Sequence, residues 1–382
     1  MDKYTTYVGL DVHARSIEAS AVDVETGEEF RRSFRGCPGA AEVAGWLATL
    51  PQPVYCAYES GGCGFTLARG LRAQGFDCDV IAVSTLPRSG RDRRQKCDRL
   101  DARAIRREAA NPDRGYHAVW VPDEATEGLR DLVRCYAVAA DGAKRAKQRL
   151  LMFLQRHGHV WDERTKTGRR KKAWTRDFER WLDSISLGEE AAERAFAAYR
   201  RQVREARREV AELRAEVLEL AGRPESKPIV DAMCLFKGVD TVTAMIVRAE
   251  IGDFERFGSA ASVSSWAGTT PSDRSSGESE RHGGITKAGD RYVRRALVEG
   301  CAGIAMWGAG PKAVPRGAEP SAAALEIAAR GNRRLRERYD HLAREARKAP
   351  NKARVAVVNE LIRWLWVAGL QAQREMREGA AA

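Results

Sequence analysis

No Cys-x-x-Cys pair occurs in this sequence. Its cysteines, Cys37, Cys56, Cys63, Cys78, Cys97, Cys135, Cys234 and Cys301, are scattered, which excludes a zinc knuckle or a disulfide framework and fits a reducing cytoplasm. Nor is there a basic and apolar leader, since the chain opens Met1-Asp2-Lys3-Tyr4. The most apolar late stretch, Val355 to Leu370, is broken by Asn359, Glu360 and Arg363, so neither export nor a membrane span is expected. Negative charge is in deficit: 53 Asp and Glu stand against 65 Lys and Arg, a formal +12 that favours a polyanionic partner. What the sequence does have is 382 residues with 43% hydrophobic content, enough for two or three packed domains.

The apolar run Tyr7-Val8-Gly9-Leu10-Asp11-Val12 reads as a buried strand that delivers one carboxylate near its end. Ser16 to Val22, the turn-like Val24-Glu25-Thr26-Gly27, and Glu29 to Phe34 complete a three-stranded meander. Val43, Trp46, Leu47 and Leu50 mark one face of a helix that Pro51 and Pro53 stop. A second apolar run, Val54 to Tyr58, ends at Glu59; a helix over 64–73 and a strand over 78–83 follow. Three antiparallel strands followed by helix-linked strands describe a ribonuclease H-like mixed sheet.

Asp98 and Asp101 stand three apart at the start of the next helix-forming stretch, so they share a face. With Asp11 and Glu59 they make a DEDD set. Two divalent ions roughly 4 Å apart stabilise both the attacking and the leaving oxygen of a phosphodiester, and several carboxylates from separate elements are needed to hold them. Magnesium, which prefers oxygen ligands, suits that set, with Asp11 bridging the two ions. Helix capping accounts for Asp98 and Asp101 equally well, and a solvated strand end for Glu59. Between the last strand and this helix lie Arg88, Arg91, Arg93, Arg94 and Lys96, a cluster suited to phosphate contacts or to an exposed loop.

In the middle of the chain, Leu129, Leu132, Tyr136, Ala139, Ala143, Ala146, Leu150 and Phe153 predict one long helix. Phe196, Tyr199, Val203, Ala206, Val210, Leu213, Val217 and Leu220 alternate steps of three and four, a coiled-coil pattern that Gly222 and Pro224 end. Dimerisation and an intramolecular hairpin with the earlier helix both satisfy that pattern. Between the two helices, Arg164, Lys166, Arg169, Arg170, Lys171, Lys172 and Arg176 are interleaved with Trp161, Trp174 and Trp181. That mixture suits RNA or unpaired bases, and equally a solvated linker with core tryptophans.

Leu235 to Ala244 is similar to the turn and second helix of a helix-hairpin-helix, but Asp240 replaces the usual second glycine and opposes a phosphate unless it caps the helix. Next comes a serine loop in a basic frame, Thr269-Thr270-Pro271-Ser272-Asp273-Arg274-Ser275-Ser276-Gly277. Arg281, His282, Lys287, Arg294 and Arg295 follow it. A serine hydroxyl needs a base, a metal or positive charge to become a nucleophile, and Ser-Ser-Gly by itself is common loop chemistry. Beyond a Pro-marked stretch at Pro311, Pro315 and Pro320, Ala322 to Arg347 reads as an Arg-rich helix. Val355, Val358, Leu361, Ile362, Leu365 and Trp366 form the apolar face of a final helix, and residues 371–382 are expected to fray.

The run from Asp11 through Glu59 to Cys97-Asp98-Arg99-Leu100-Asp101-Ala102-Arg103, joined to Gly268-Thr269-Thr270-Pro271, Ser275-Ser276-Gly277, Gly284-Ile285-Thr286-Lys287-Ala288-Gly289 and Arg294-Arg295-Ala296-Leu297, resembles the DEDD transposases of bacterial insertion sequences. The resemblance covers nearly the whole chain. It implies a RuvC-like domain over 1–120, a helical coiled-coil and dimerisation region over 121–225, and a mainly helical C-terminal serine transposase domain over 226–382. It further implies DNA recombination directed by a bridge RNA, with dimers and then tetramers acting on donor and target DNA in the bacterial cytoplasm, at the nucleoid. By the same resemblance Asp11, Glu59, Asp98 and Asp101 hold Mg2+ in a two-ion site, and Ser276 attacks DNA to form a phosphoserine. Arg91, Arg93, Arg94, Lys96, Arg281, Lys287, Arg294 and Arg295 are the expected nucleic-acid contacts. A hydrolytic RuvC-like nuclease and a non-catalytic nucleic-acid-binding protein are the rival readings.

Overall fold

The computed structural model describes residues 3–85, 98–111, 113, 115–273, 282–308 and 310–381. The chain forms two compact units, 1–125 and 126–382.

In the first unit, β1 (Thr6–His13) and β2 (Ser16–Asp23) form a hairpin in antiparallel register, His13 opposite Ser16. β3 (Glu29–Arg35) joins after a turn in which Asp23 Oδ1 accepts from the amides of Glu25 and Thr26 and Gly27 takes a φ of 75°. Aspartate and glycine supply there the local acceptor and the left-handed backbone that a tight turn needs. Helix α1 (Ala40–Leu47) carries the chain back to β4 (Val54–Glu59), parallel to β1. Helix α2 (Thr66–Ala73) does the same for β5 (Asp77–Ile81), and the short β6 (Ala118–Val119) closes the edge. The strand order β3-β2-β1-β4-β5-β6 is the mixed sheet expected of a ribonuclease H-like fold.

Side chains alternate across a strand, so each face has its own cover. Val8, Leu10, Cys56, Tyr58 and Val80 pack against Val43, Leu47, Ala68 and Leu71 of α1 and α2. On the other face Tyr7, Tyr55, Ala57 and Ile81 meet Ile105 and Ala109 of α3 (Asp98–Ala109). Gly9 fixes how closely α3 lies: a Cβ there would stand 2.2 Å from the Ala102 carbonyl oxygen and 2.3 Å from the Arg106 nitrogen. Burial on both faces explains why β1 and β4 read as continuous apolar runs.

In the second unit, α4 (Glu124–Arg156) and α6 (Glu190–Ala221) are each roughly 50 Å long at 1.5 Å per residue. The apolar stripe of α6 lies against α4 of the same chain: Phe153 meets Phe196 and Tyr199, and Leu150, Phe153 and Val203 share one core. Within the chain α4 and α6 thus pack together as a hairpin. At its tip Trp161, Trp174 and Trp181 gather around Phe178 of α5 (Arg176–Asp183), and Trp161 Nε1 donates to the Lys171 carbonyl at 3.1 Å. Of the tryptophans interleaved with basic residues, Trp161 is buried, and the half-buried Trp174 and Trp181 pack against the same cluster.

The base of the hairpin enters a helical core through Val133, Val217 and Ala221, which pack with α7 (Lys227–Cys234), α8 (Thr241–Ile251), α9 (Ala260–Trp266), α10 (Arg291–Gly300), α11 (Ala322–Asp340) and α12 (Pro350–Ala381). The expectation that residues 371–382 fray is corrected, because α12 continues to Ala381. Gln373 accepts from the Phe254 amide at 3.1 Å and donates to Asp253 at 2.6 Å, and Arg374 pairs with Glu255, so the last turns have tertiary partners. Every cysteine among the described residues is a free thiol, and no described helix is long and apolar enough to cross a membrane.

Candidate functional site

Strand register brings the first two acids together. β1 and β4 run parallel with Tyr7 beside Tyr55, Gly9 beside Ala57 and Leu10 beside Tyr58, so Asp11 and Glu59 end neighbouring strands on one face. Strand spacing there is about 5 Å. Asp11 is largely buried and holds His13, two residues on and on the same face, at 3.1 Å through Oδ2. Glu59 is half-buried.

The direction of α3 follows from its contacts. Ala109 packs at the Tyr7 and Tyr55 level, whereas Ala102 crosses Gly9, so the helix runs antiparallel to β1 and its first turn heads for the Asp11 end. That turn contains Asp98 and the half-buried Asp101. The side chain of Asp98 lies outside the described residues. Among the described residues no three His, Cys, Asp or Glu side chains form a ready metal cage. The donor chemistry nonetheless suits a divalent ion such as Mg2+: hard carboxylate oxygens, from two strands and a helix N-terminus, at one end of the sheet.

The serine loop belongs to the second unit. β7 (Pro271–Asp273) and β8 (His282–Ile285) pair antiparallel, Asp273 opposite His282, and so hold both ends of segment 274–281. Thr286 N donates to Thr270 O at 2.9 Å and Lys287 N to Gly268 O at 3.1 Å, which extends the anchorage. Ser275, Ser276 and Arg281 lie outside the described residues, as do Arg88, Arg91, Arg93, Arg94 and Lys96. Lys287 is exposed, in a left-handed backbone with φ 56°. Arg294 and Arg295 spend donors within the protein. Arg294 donates to the carbonyls of Ala267 and Asp290 at 2.9 and 3.3 Å, while Arg295 pairs with Asp141 of α4 and with Glu299.

In the hairpin between α7 and α8, Asp240 is the N-cap: its carboxylate accepts from the Thr243 amide at 2.8 Å. Its negative charge therefore serves the helix N-terminus. Gly238, at φ 81°, is required there, because a Cβ would meet Trp307 and the Gly300 carbonyl within 3 Å.

Three features escaped sequence reading. Glu18, directly opposite Asp11 in the β1–β2 register and buried, accepts from Ser33 Oγ at 2.7 Å and from Arg35 at 2.8 Å. Counting residues back from the two-residue turn at Ala14 and Arg15 places Glu18 there. Ser20, opposite Gly9, is buried with its hydroxyl unpartnered among the described residues. In the second unit the buried Glu250 of α8 is gripped by Arg134 of α4 at 2.7 and 2.8 Å, and Arg130 stands 3.4 Å away. Burial pushes the Glu250 carboxyl up to about 7, and burial draws Arg256 down to about 10.

Residues 8–158 match a family model described as transposase, of the IS110 DEDD type, and residues 232–313 match one described as transposase of the IS116/IS110/IS902 family. A putative transposase, y4qE, of Sinorhizobium fredii is 32% identical over 381 residues, 98% of this chain and 90% of the relative. The transposase for insertion sequence element IS1533 of Leptospira borgpetersenii is 26% identical over 256 residues, 66% of this chain and 71% of that one. A probable family 20 transposase of Pseudomonas aeruginosa is 25% identical over 299 residues, covering 78% and 83%.

Proposed function

The chain belongs to the IS116/IS110/IS902 family of transposases, the enzymes of mobile-element DNA recombination, and from that premise we propose that it cuts and rejoins DNA at a carboxylate site and a serine. Asp11, Glu59, Asp98 and Asp101 would hold the divalent metal, in a two-ion arrangement. When bound, Mg2+ supplies Lewis-acid stabilisation of the attacking and leaving oxygens. The observation that carries the reading is the shared register of Asp11 and Glu59 beneath a helix whose first turn contains Asp98 and Asp101.

In this reading the protein's groups divide the work. The carboxylates would hold the divalent ion against the scissile phosphodiester, and His13 steadies Asp11 through its 3.1 Å contact. Ser276 Oγ gives up its proton and forms a phosphoester as the bond from phosphorus to the leaving sugar oxygen breaks, and that oxygen takes up a proton, so no net proton is consumed. The number of phosphoester bonds is conserved, so a sugar hydroxyl can later displace the serine and rejoin the strand. Donor and target DNA, a structured bridge RNA, and a homodimer that pairs into a tetramer complete the assembly; the formal charge of +12 supports polyanionic partners.

The test mixes full-length protein, the RNA transcribed from the flanking DNA of the element, and labelled donor and target duplexes. A denaturation-resistant protein–DNA adduct is expected, absent in Ser276→Ala. Cleavage that persists without any adduct would instead establish hydrolysis.

A further inference from the structure

We propose that Arg35, braced by Glu18, binds a DNA phosphate beside the carboxylate end, and that the adjoining cavity carries the next stretch of the same strand's backbone. The inference rests on the carboxylate reading above for where cutting occurs, but its own observations concern the β2–β3 side of α3. Strand parity places Asp11, Glu18, Ser33 and Arg35 on one face, because Asp11 pairs with Glu18 and Glu18 with Ser33. The Glu18 backbone is thus one strand spacing, about 5 Å, from that of Asp11. Glu18 is only 7% exposed, whereas the Arg35 side chain is 68% exposed, so the pair is a cation on a buried handle. An exposed arginine with one nitrogen fixed at 2.8 Å keeps the remaining donors of its planar fork for a phosphate.

Beside it lies a cavity of about 340 Å3, lined by Glu18, Ser20, Arg31, Ser33, Leu100 and Arg103 among others. Its chemistry suits a backbone and not a base. Among the described residues that line it none is aromatic, so they offer no stacking surface; Arg31, Arg32 and Arg103 stand at its wall; and the buried Ser20 hydroxyl has no partner among the described residues. Glu29 anchors that wall, meeting Arg31 at 3.0 Å, Arg106 at 2.8 Å and Arg103 at 3.5 Å. Those hydrogen bonds, Arg106 foremost, hold its carboxyl down at about 2. Arg31, Arg32, Arg103 and Arg106 outnumber Glu18 and Glu29 there, which leaves the wall positive. Contacts of this kind fix a duplex in place without reading its sequence. The occupant is double-stranded DNA, the substrate of the family.

The experiment measures the affinity of full-length protein for a labelled DNA duplex across a salt series, in EDTA so that cleavage is silent. Each neutralised phosphate contributes about 0.9 to the slope of log affinity against log salt. Arg35→Gln should therefore lower that slope by about 0.9 and weaken binding severalfold, while Arg35→Lys restores the slope. Because Arg35→Gln leaves Glu18 buried without its cation, Glu18→Gln/Arg35→Gln is measured beside it, with melting temperatures for both; the double variant should melt like the parent and keep the shallower slope. A parental slope in a folded double variant overturns the proposal, as does a slope change seen with structured RNA but not with DNA. Asp11→Asn run in parallel separates the two readings: assayed with Mg2+ it tests cutting, and in EDTA it should leave the salt slope nearly intact.

Discussion

At the scale of single residues, the proposed chemistry rests on acids that strand register sets side by side. Asp11 and Glu59 lie toward the ends of neighbouring strands on one face, so removing one charge should disable the proposed site without disturbing the core. Asp11→Asn should lower strand cleavage by on the order of 10³-fold, the weight of several kcal/mol of metal-borne charge stabilisation, with an unchanged melting temperature. Residual activity within about threefold of the parent would contradict the assignment. Asp240 carries a different prediction. As N-cap of α8, bonded to the Thr243 amide, it should cost about 1 kcal/mol when replaced by alanine, read from denaturant unfolding, and leave DNA binding unaltered. Asp11 and Glu59 were legible in the sequence because each terminates an apolar run. Glu18 was not used, because its position opposite Asp11 emerges only when register is counted from the β1–β2 turn. Ser20 was not legible at all, since an unpartnered hydroxyl is a property of packing.

Elements carry the next set of consequences. Gly9 lets α3 cross β1 in near contact, and the first turn of that helix contains Asp98 and Asp101. Gly9→Ala should therefore destabilise the first unit by about 1–3 kcal/mol and, unlike Asp240→Ala, also reduce metal-dependent cleavage; intact stability and activity would show that the crossing is looser. In the second unit α4 is locked to α8 through Arg134 and Glu250. Burial raises the Glu250 carboxyl from 4.5 to about 7, so the folded state favours the protonated form. The stability this group contributes is then full below about pH 4.5 and lost as pH rises through 7. Denaturant midpoints of the parent should fall across that window more steeply than those of Glu250→Gln; equal slopes would refute the assignment. Most elements were legible from period and punctuation. The exception, the last turns of α12, shows why some were not. Gln373 finds Phe254 and Asp253 in a segment remote in sequence, which local pattern cannot reveal. The heptads of α6 likewise gave the helix but not its packing along α4 of the same chain.

Over the whole molecule, the proposed chemistry is divided between two units. The carboxylates belong to 1–125, and the segment with Ser276 is anchored by the β7–β8 pair of 126–382. The family match spans both, which fits an enzyme that needs the two together. Crystals of the full-length protein soaked in manganese and measured at its absorption edge test the central claim most directly. Anomalous peaks bounded by the carboxylates of Asp11, Glu59, Asp98 and Asp101 are the predicted result. Manganese bound elsewhere, with Asp11 and Glu59 turned away from a common ion, would contradict it.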